Sequence, residues 1–228
     1  MKKRCIAEAI GTFAIVFCPV ALGAVSKLTG SDPGLLAAAL ASGLPVLAMI
    51  YALGPISAHF NPAVTVAFAL AGRFPWRHAP SYIASQLCGA LAAGGVSALL
   101  FGPGGGVHIP ASPDLVARNV GLEGVITFLL MFVIIATATD RRTSPVVPAL
   151  AIGMTVIFGV LIGGPVTGGA MNPARSFGAA AFGGWSAFGQ MGVYVLGPLT
   201  GAAAAVKAYE AIRLNQDFAC SAPELEGE

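Results

Sequence analysis

The tripeptide Asn-Pro-Ala occurs twice in this strongly apolar chain, and this duplication limits the possible folds more than any other feature. The two copies are Asn61-Pro62-Ala63 and Asn172-Pro173-Ala174. Asn is a favoured N-cap, and Pro suits the first helical position because it has no N–H to leave unpaired there. Each apolar stretch that follows, residues 64–71 and 176–182, is about half of the ~20 residues that a membrane-crossing helix needs. The two motifs therefore predict two half-helices.

The composition predicts a membrane protein. Only 10% of the residues are charged and 56% are hydrophobic, with a mean hydropathy of +0.82. Soluble domains carry about 25% charged residues. The 30 glycines suit membrane helices that pack closely through small residues. The net charge of +2 comes with no basic cluster, so we expect a lipid bilayer as the surroundings and no nucleic-acid partner.

Apolar runs predict six full spans in an all-α membrane protein. They cover about residues 5–25, 35–53, 79–101, 120–139, 147–162 and 188–212. The half-helices, at about 62–71 and 173–182, fall between the second and third spans and between the fifth and sixth. We predict one transmembrane channel domain over residues 1–228, with a mostly disordered tail at 215–228.

The basic residues indicate the orientation of the chain in the membrane. In the six-span arrangement, most of them fall on one side: Lys2, Lys3, Arg4, Arg73, Arg77, Arg141, Arg142, Lys207 and Arg213. Lys27 and Arg118 fall on the other side, and Arg175 falls within the membrane. The positive-inside rule then predicts a multi-pass protein of the cell (inner) membrane with both termini in the cytoplasm.

The two halves of the chain repeat each other, over about residues 5–101 and 120–212. The matched residues are Glu8, Thr12 and Phe13 with Glu123, Thr127 and Phe128, and Tyr82, Leu87, Gly89 and Ala90 with Tyr194, Leu199, Gly201 and Ala202. Three spans per half is an odd number, so the second half must be inverted across the membrane. Inverted repeats with interrupted helices build a pathway around a pseudo-two-fold axis.

Residues 56–65 and 171–176 resemble the two signatures of the aquaporin (major intrinsic protein) family. The likeness extends over nearly the whole chain, although the first signature is one small residue shorter than is usual in the family. The resemblance implies six tilted spans, two half-helices that meet at the signatures, one pore per subunit and a homotetramer. The sequence has no phosphate-binding loop, metal-ligand cluster or nucleophile–base pattern, so we predict neither an enzyme nor a cofactor.

The physics of the motif predicts how a pore would work. Two helix N-termini that face each other concentrate positive potential, about half an elementary charge each, which repels cations and protons. The side-chain amides of Asn61 and Asn172 can donate hydrogen bonds to a solute, and the carbonyls before each Asn can accept them. The alternative is that the two motifs are kinked loops that only pack against the rest of the protein.

Three further polar residues are expected to support the pore loops. Glu8 and Glu123 are acids inside spans, which are costly without partners. We predict that each accepts N–H groups of the irregular loop in its own half, whereas the alternative is a proton relay in a coupled transporter. His59 is interpreted as a hydrogen-bonding residue of the first loop. His78 and His108 receive no role.

Arg175 is the clearest candidate for a selecting residue. It lies on the first turn of the second half-helix, where the helix dipole disfavours a cation, and such a cost usually marks function. By position, the resemblance implies that it belongs to an aromatic/arginine filter. The four members of this filter would be Ser42, Val160, Gly169 and Arg175.

The residues at these positions predict a wide filter. Water-selective members of the family usually have Phe and His where this chain has Ser42 and Val160, and glycerol facilitators commonly have Asp where it has Ser176. Small residues with Arg resemble the metalloid-conducting branch, which includes plant nodulin-like proteins. We therefore predict a passive channel for water and small uncharged solutes that favours neutral metalloid hydroxides such as arsenous acid. The alternatives are a water, glycerol and urea facilitator without that preference, and a proton-coupled transporter.

Overall fold

The computed structural model of the chain describes residues 1–138 and 147–213. In that part of the chain the α-helices are α1 (Lys2–Thr29), α2 (Gly34–Leu53), α3 (Pro62–Leu70), α4 (Ala79–Phe101), α5 (Val116–Ala138), α6 (Val147–Thr167), α7 (Pro173–Ala180), α8 (Trp185–Gly189) and α9 (Met191–Ile212). A single 3₁₀ turn, Trp76–His78, precedes α4. Within these residues, six helical segments are long and apolar enough to cross a bilayer. The prediction of six spans and two half-helices is confirmed.

Many large apolar side chains are exposed on the outer surface, although others form a buried core. Leu99 on α4, for example, is 85% exposed. Glu8 and Glu123, in contrast, have no exposed surface at all. This distribution suits a bilayer, because lipid solvates apolar side chains while backbone and carboxylate groups need polar partners inside the protein.

Close helix pairs hold each half together at matching positions. α1 packs against α4 in the first half, and α5 packs against α9 in the second. A Cβ atom added to Gly89 would lie 2.2 Å from the carbonyl oxygen of Ala9, and one added to Gly201 would lie 2.0 Å from that of Gly124. Glycine is therefore required at both contacts, because only backbone without a side chain allows the helices to approach so closely. The two halves are then joined through α2 and α6.

The helix bounds differ from the predicted spans in a few places. α6 continues to Thr167, although its predicted span ends at residue 162 before a Gly-Gly-Pro sequence. Pro165 has no N–H to donate, but Gly168 N donates to the carbonyls of Gly163 and Gly164, both at 3.1 Å, so the last turn keeps its hydrogen bonding. α1 is longer than its predicted span at both ends, and α8 precedes α9 where one span was predicted. Arg141, Arg142 and the tail 215–228 lie outside the described residues.

The segment 102–115 between α4 and α5 folds back onto the bundle. Lys27 Nζ donates a hydrogen bond to the carbonyl of Gly104, and Ala111 N donates to the carbonyl of Val166 at 2.9 Å. Gly106 lies so close to α1 that an added Cβ would be 2.7 Å from the carbonyl oxygen of Pro19. The segment is therefore packed between α1 and the end of α6.

Candidate functional site

The two Asn-Pro-Ala motifs each begin a half-helix. Asn61 Oδ1 accepts a hydrogen bond from Ala63 N at 2.9 Å, and Asn172 Oδ1 accepts one from Ala174 N at 2.9 Å. Both Asn residues have extended backbone, with φ of −155° and −156°. Pro62 and Pro173 each occupy the first helical position. This is the N-cap arrangement that the pairing of Asn and Pro predicts. The Asn oxygen pairs a free N–H of the first turn, and Pro has no N–H that would be left unpaired there.

The two half-helices meet through a reciprocal pair of hydrogen bonds. Asn61 Nδ2 donates to the carbonyl of Met171, and Asn172 Nδ2 donates to the carbonyl of Phe60, both at 2.9 Å. Phe60 and Met171 both have left-handed backbone, with φ of 51° and 53°. Such values are uncommon for residues other than glycine, and they occur preferentially at functional sites. The two motifs thus form one structural unit.

Asn61 and Asn172 line the same cavity, which has a volume of about 970 Å³. The cavity reaches from Arg4, at the start of α1, to Arg175 on α7. Apolar side chains form much of the remaining wall, among them Ile15, Val46, Val64, Leu130, Ile134 and Val156. Amide donors beside a largely apolar wall suit the passage of small uncharged molecules.

The electrostatics of the junction follow from the two helix ends. α3 and α7 each direct a positive N-terminus, worth about half an elementary charge, at the junction. Each Asn amide nitrogen has two hydrogens and uses one in the reciprocal pair, so one remains for a solute oxygen. The sequence predicted the carbonyls before each Asn as acceptors for solutes. Those of Phe60 and Met171 instead accept from the opposite Asn, so part of their capacity holds the junction together.

Glu8 is buried beneath the first pore loop, where both of its carboxylate oxygens accept two hydrogen bonds. Oε1 accepts from His59 N at 2.9 Å and from Ser57 Oγ at 2.6 Å. Oε2 accepts from Phe60 N at 2.7 Å and from Gln86 Nε2 at 2.8 Å. The carboxylate therefore satisfies backbone donors that the irregular loop cannot pair within itself.

Glu123 has the corresponding place beneath the second pore loop. Its Oε1 accepts from Thr167 Oγ1 at 2.6 Å and from Ala170 N at 3.0 Å, and its Oε2 accepts from Met171 N at 2.8 Å. The hydroxyl of Tyr194 donates to the Thr167 carbonyl at 2.6 Å and braces the same loop. Both halves therefore hold their loops with a buried acid.

The first pore loop reaches the same geometry with one residue fewer. Three residues separate Ser57 from Asn61, whereas four separate Thr167 from Asn172. The hydrogen bonds to Glu8 and Glu123 come from equivalent backbone positions in spite of this difference. The difference in length therefore lies between the hydroxyl residue and the two N–H donors, where Ala58 stands in place of Gly168 and Gly169.

Arg175 makes contact with two of the other three predicted filter residues. Its Nη2 donates to Ser42 Oγ at 2.9 Å, and its Nη1 donates to the carbonyl of Ala170 at 2.9 Å and, more weakly, to that of Gly169 at 3.4 Å. Val160 is adjacent, because a Cβ added to Gly169 would lie 3.0 Å from its Cα. Arg175 is 4% exposed, and its Nε is buried without a hydrogen-bond partner among the described residues. The four positions thus lie together.

Two histidines lie close to the pore motifs, and the sequence predicted a structural role for only one of them. The His59 ring lines the cavity, and its Nδ1 lies 3.2 Å from Thr65 Oγ1. His108 received no role, yet it is buried and its Nδ1 lies 3.3 Å from Ser176 Oγ. Burial, together with the charge of Arg175, lowers the pKa of His108 to about 3. Its segment is rich in Gly and Pro, without a periodic pattern that would have indicated burial.

Residues 1–138 and 147–213 contain no group of three or more His, Cys, Asp or Glu side chains that could hold a metal ion. The polar groups at the junction are amides, carbonyls and one guanidinium, which bind neutral oxygen-containing molecules by hydrogen bonds.

Known proteins resemble this chain over almost its whole length. Aquaporin NIP1-1 of Oryza sativa subsp. japonica is 43% identical over 220 residues, which are 93% of this chain and 75% of the relative. Aquaporin NIP1-4 of the same plant is 45% identical over 219 residues, 93% of this chain and 77% of the relative. Both are NIP-type, or nodulin-like, aquaporins, which is the resemblance that the sequence indicated.

A solved structure shows the same fold. The aquaglyceroporin from Plasmodium falciparum superposes with a TM-score of 0.81 and 21% sequence identity, over 92% of this chain and 96% of that protein. The family profile described as "Major intrinsic protein" matches residues 1–209. The chain therefore belongs to the major intrinsic protein family, whose members are multi-pass membrane channels for water and small solutes and not enzymes.

Proposed function

We propose that Ser42, Val160, Gly169 and Arg175 form a wide selectivity filter that favours neutral metalloid hydroxides such as arsenous acid, in a passive channel that also conducts water. The observation that carries this proposal is the hydrogen bond from Arg175 Nη2 to Ser42 Oγ. It puts a small hydroxyl, and not an aromatic ring, beside the guanidinium. None of the four positions carries an aromatic side chain.

The chemistry of the filter matches a small neutral triol. Such a molecule presents several hydroxyl groups that both donate and accept hydrogen bonds. Arg175 lines the cavity, and its guanidinium offers several N–H donors. Ser42 and the Gly169 carbonyl offer acceptors, and Val160 adds only carbon atoms. A water-filled wide pore would leave these groups solvated, whereas a hydroxylated solute can satisfy several of them at once.

The buried acids support a passive channel over a proton-coupled transporter. Every carboxylate oxygen of Glu8 and Glu123 already accepts at least one hydrogen bond from the protein. Protonation would replace charge-assisted hydrogen bonds by weaker neutral ones, so cycling through a neutral form would weaken the loop support. We assign Glu8, Glu123 and His59 to holding the loops.

The remaining features of the proposal concern assembly and orientation. The chain forms one channel domain over residues 1–228, with repeats at about 5–101 and 120–212, and assembles as a homotetramer with one pore per subunit. It lies in the cell (inner) membrane with both termini in the cytoplasm. The basic residues near the ends of the spans support this orientation.

The filter is tested with the double variant S42F/V160H in proteoliposomes, by stopped-flow light scattering. We expect the larger rings to abolish arsenous acid and glycerol flux while water flux continues. L44F is the matched control, since Leu44 lies on the same helix and is 50% exposed at its outer face. Unchanged flux of the large solutes through S42F/V160H would refute the assignment of the filter.

The two alternatives give different results in the same vesicles. A facilitator without metalloid preference would pass arsenous acid no faster than glycerol or urea. A coupled transporter would respond to a pH gradient across the membrane, and its solute uptake would depend on the carboxyl groups of Glu8 and Glu123.

A further inference from the structure

Each half-helix carries a hydroxyl that is paired with a histidine. Thr65 and Ser176 both lie four residues after a capping Asn. His59 Nδ1 lies 3.2 Å from Thr65 Oγ1, and His108 Nδ1 lies 3.3 Å from Ser176 Oγ. Either atom can be the donor, depending on the tautomer of the ring. The same pair of groups therefore recurs in the two halves.

Each histidine also packs against a tyrosine whose hydroxyl bonds to the pore loop of its half. Tyr82 accepts from Ser57 Oγ at 2.9 Å, and Tyr194 donates to the Thr167 carbonyl. The ring of His59 lies 5.1 Å from that of Tyr82, and the ring of His108 lies 5.7 Å from that of Tyr194. These distances are within the range of favourable aromatic contacts. A hydroxyl, a histidine and a tyrosine thus form a matching cluster beside each pore loop.

The two histidines come from different parts of the chain. His59 belongs to the first pore loop itself, where its N–H donates to Glu8. The residue that makes the same backbone bond in the second half is Ala170, which has no ring to offer. His108 comes instead from segment 102–115, which is fixed by contacts with α1 and with Val166. The connecting segment therefore supplies what the second pore loop lacks.

His108 contacts the chain on both sides of Arg175. Gly168 lies directly against its ring, since a Cβ added there would be 2.7 Å from His108 Cδ2. The carbonyl of the next residue, Gly169, accepts from Arg175. On the other side, Ser176 follows Arg175 immediately and bonds to His108. One ring thus links the turn that holds the guanidinium to the helix that carries it.

We propose that His108 is a positioning residue for the filter: it ties the Gly168–Gly169 turn to Ser176 and thereby fixes the guanidinium of Arg175. The inference rests on the proposed role of Arg175 in selection. It assigns specificity to a residue that lies outside the pore motifs and that does not itself touch the solute. Loss of the His108 side chain would let the guanidinium of Arg175 move, and it would weaken the constriction without removing any filter side chain.

The test compares His108→Leu, which keeps bulk without the hydrogen bond, with His108→Asn, which keeps a polar atom near the place of Nδ1. His78→Leu is the matched control, because that ring lies at the start of α4 and away from the filter. In proteoliposomes, we expect His108→Leu to raise the ratio of glycerol to water permeability about fivefold, the effect of losing one hydrogen bond. His108→Asn and His78→Leu should stay close to the wild-type ratio.

A second variant separates positioning from general damage. Ser176→Ala removes the partner of His108, so it should raise the ratio in the same direction, and its combination with His108→Leu should add little more. A wild-type ratio in a folded His108→Leu protein, or effects of the two changes that simply add, would overturn the proposal. If wild-type protein discriminates against arsenous acid, the metalloid preference fails while the glycerol-to-water comparison still decides the role of His108. If wild-type protein passes no glycerol, the wide filter fails. The activation energy of water flux then tests the role of His108, and an unchanged value in His108→Leu would overturn the proposal.

Discussion

The side-chain amide of Asn61 lies 2.9 Å from the carbonyl oxygen of Met171, a residue 110 positions further along the chain. Asn172 makes the reciprocal bond to Phe60. Each Asn therefore has two structural tasks, since its oxygen caps one half-helix and its nitrogen bonds to the loop of the other. Among the standard side chains, only the amides of Asn and Gln offer both an acceptor oxygen and an NH₂ group with two donors, and Asn is the shorter of the two.

Replacement of Asn172 by Asp should separate these tasks. The carboxylate can still accept from Ala174 N, so the helix cap remains, but the donor to Phe60 is lost. We expect water permeability to fall about fivefold, in line with one lost hydrogen bond. The negative charge should also raise proton leak, because it offsets the positive helix ends. Stopped-flow scattering and a pH-sensitive dye inside the vesicles measure the two effects.

The control for this change is Asn61→Asp, which alters the equivalent position in the other half. We expect a similar loss of water flux in both variants. Proton exclusion equal to that of wild type in both variants would contradict the electrostatic account.

Replacement of Glu123 by Gln should destabilise the fold. The amide can accept through only one atom, so at least one backbone N–H, from Ala170 or Met171, loses its partner. A buried donor left unpaired costs about 1–3 kcal/mol. Glu8→Gln should cost at least as much, because Glu8 accepts four hydrogen bonds. Thermal unfolding in detergent measures the difference.

Glu210→Gln is the control for the acid variants. Glu210 forms partly exposed ion pairs with Arg73 and Arg213, both at 2.7 Å. Such pairs contribute about 0–1 kcal/mol, so this variant should unfold close to the wild-type temperature. Equal losses in Glu123→Gln and Glu210→Gln would argue against the loop-support role.

Replacement of Gly201 by Ala should separate α9 from α5. The new Cβ would lie 2.0 Å from the carbonyl oxygen of Gly124, and this neighbour is backbone that cannot move aside cheaply. We expect a loss of about 1–3 kcal/mol or failure to accumulate in the membrane. Gly192→Ala is the control on the same helix, because its Cβ would meet nothing within 4 Å. Comparable yields and unfolding temperatures for the two variants would contradict the packing argument.

The stability of the protein should depend on pH through His108. Its pKa is lowered from 6.5 to about 3 in the folded state by burial and by the charge of Arg175. Between these values the unfolded chain binds the extra proton, so stability falls as the pH falls from 6.5 towards 3. The slope is at most about 1.4 kcal/mol per pH unit. Unfolding temperatures of wild type and His108→Asn at several pH values should show the steeper slope in wild type.

The sequence was sufficient to predict the parts of the site that rest on local chemistry. Asn before Pro specifies a helix start wherever it occurs, so the beginnings of α3 and α7 follow from two residues each. Residues Glu8 and Glu123 could be assigned to the loops because their spacing repeats in the two halves. The family resemblance then supplied the four positions of the proposed filter.

The remaining features depend on contacts that no local pattern encodes. The partner of His108 is 68 residues away, and the segment that carries the ring has neither helical nor strand periodicity. The reciprocal bonds of Asn61 and Asn172 require both halves to be placed first. The extension of α6 past Pro165 depends on Gly168, which has a φ of 91° and donates back to the last turn.

The left-handed backbone at Phe60 and Met171 restricts how these two positions can evolve. A β-branched residue such as Val or Ile fits poorly at such a φ, whatever its size and polarity. Backbone geometry should therefore limit the substitutions at these positions more strongly than the identity of the solute does. We expect the positions of Phe60 and Met171 to vary within the same narrow set of amino acids even in relatives that transport different molecules.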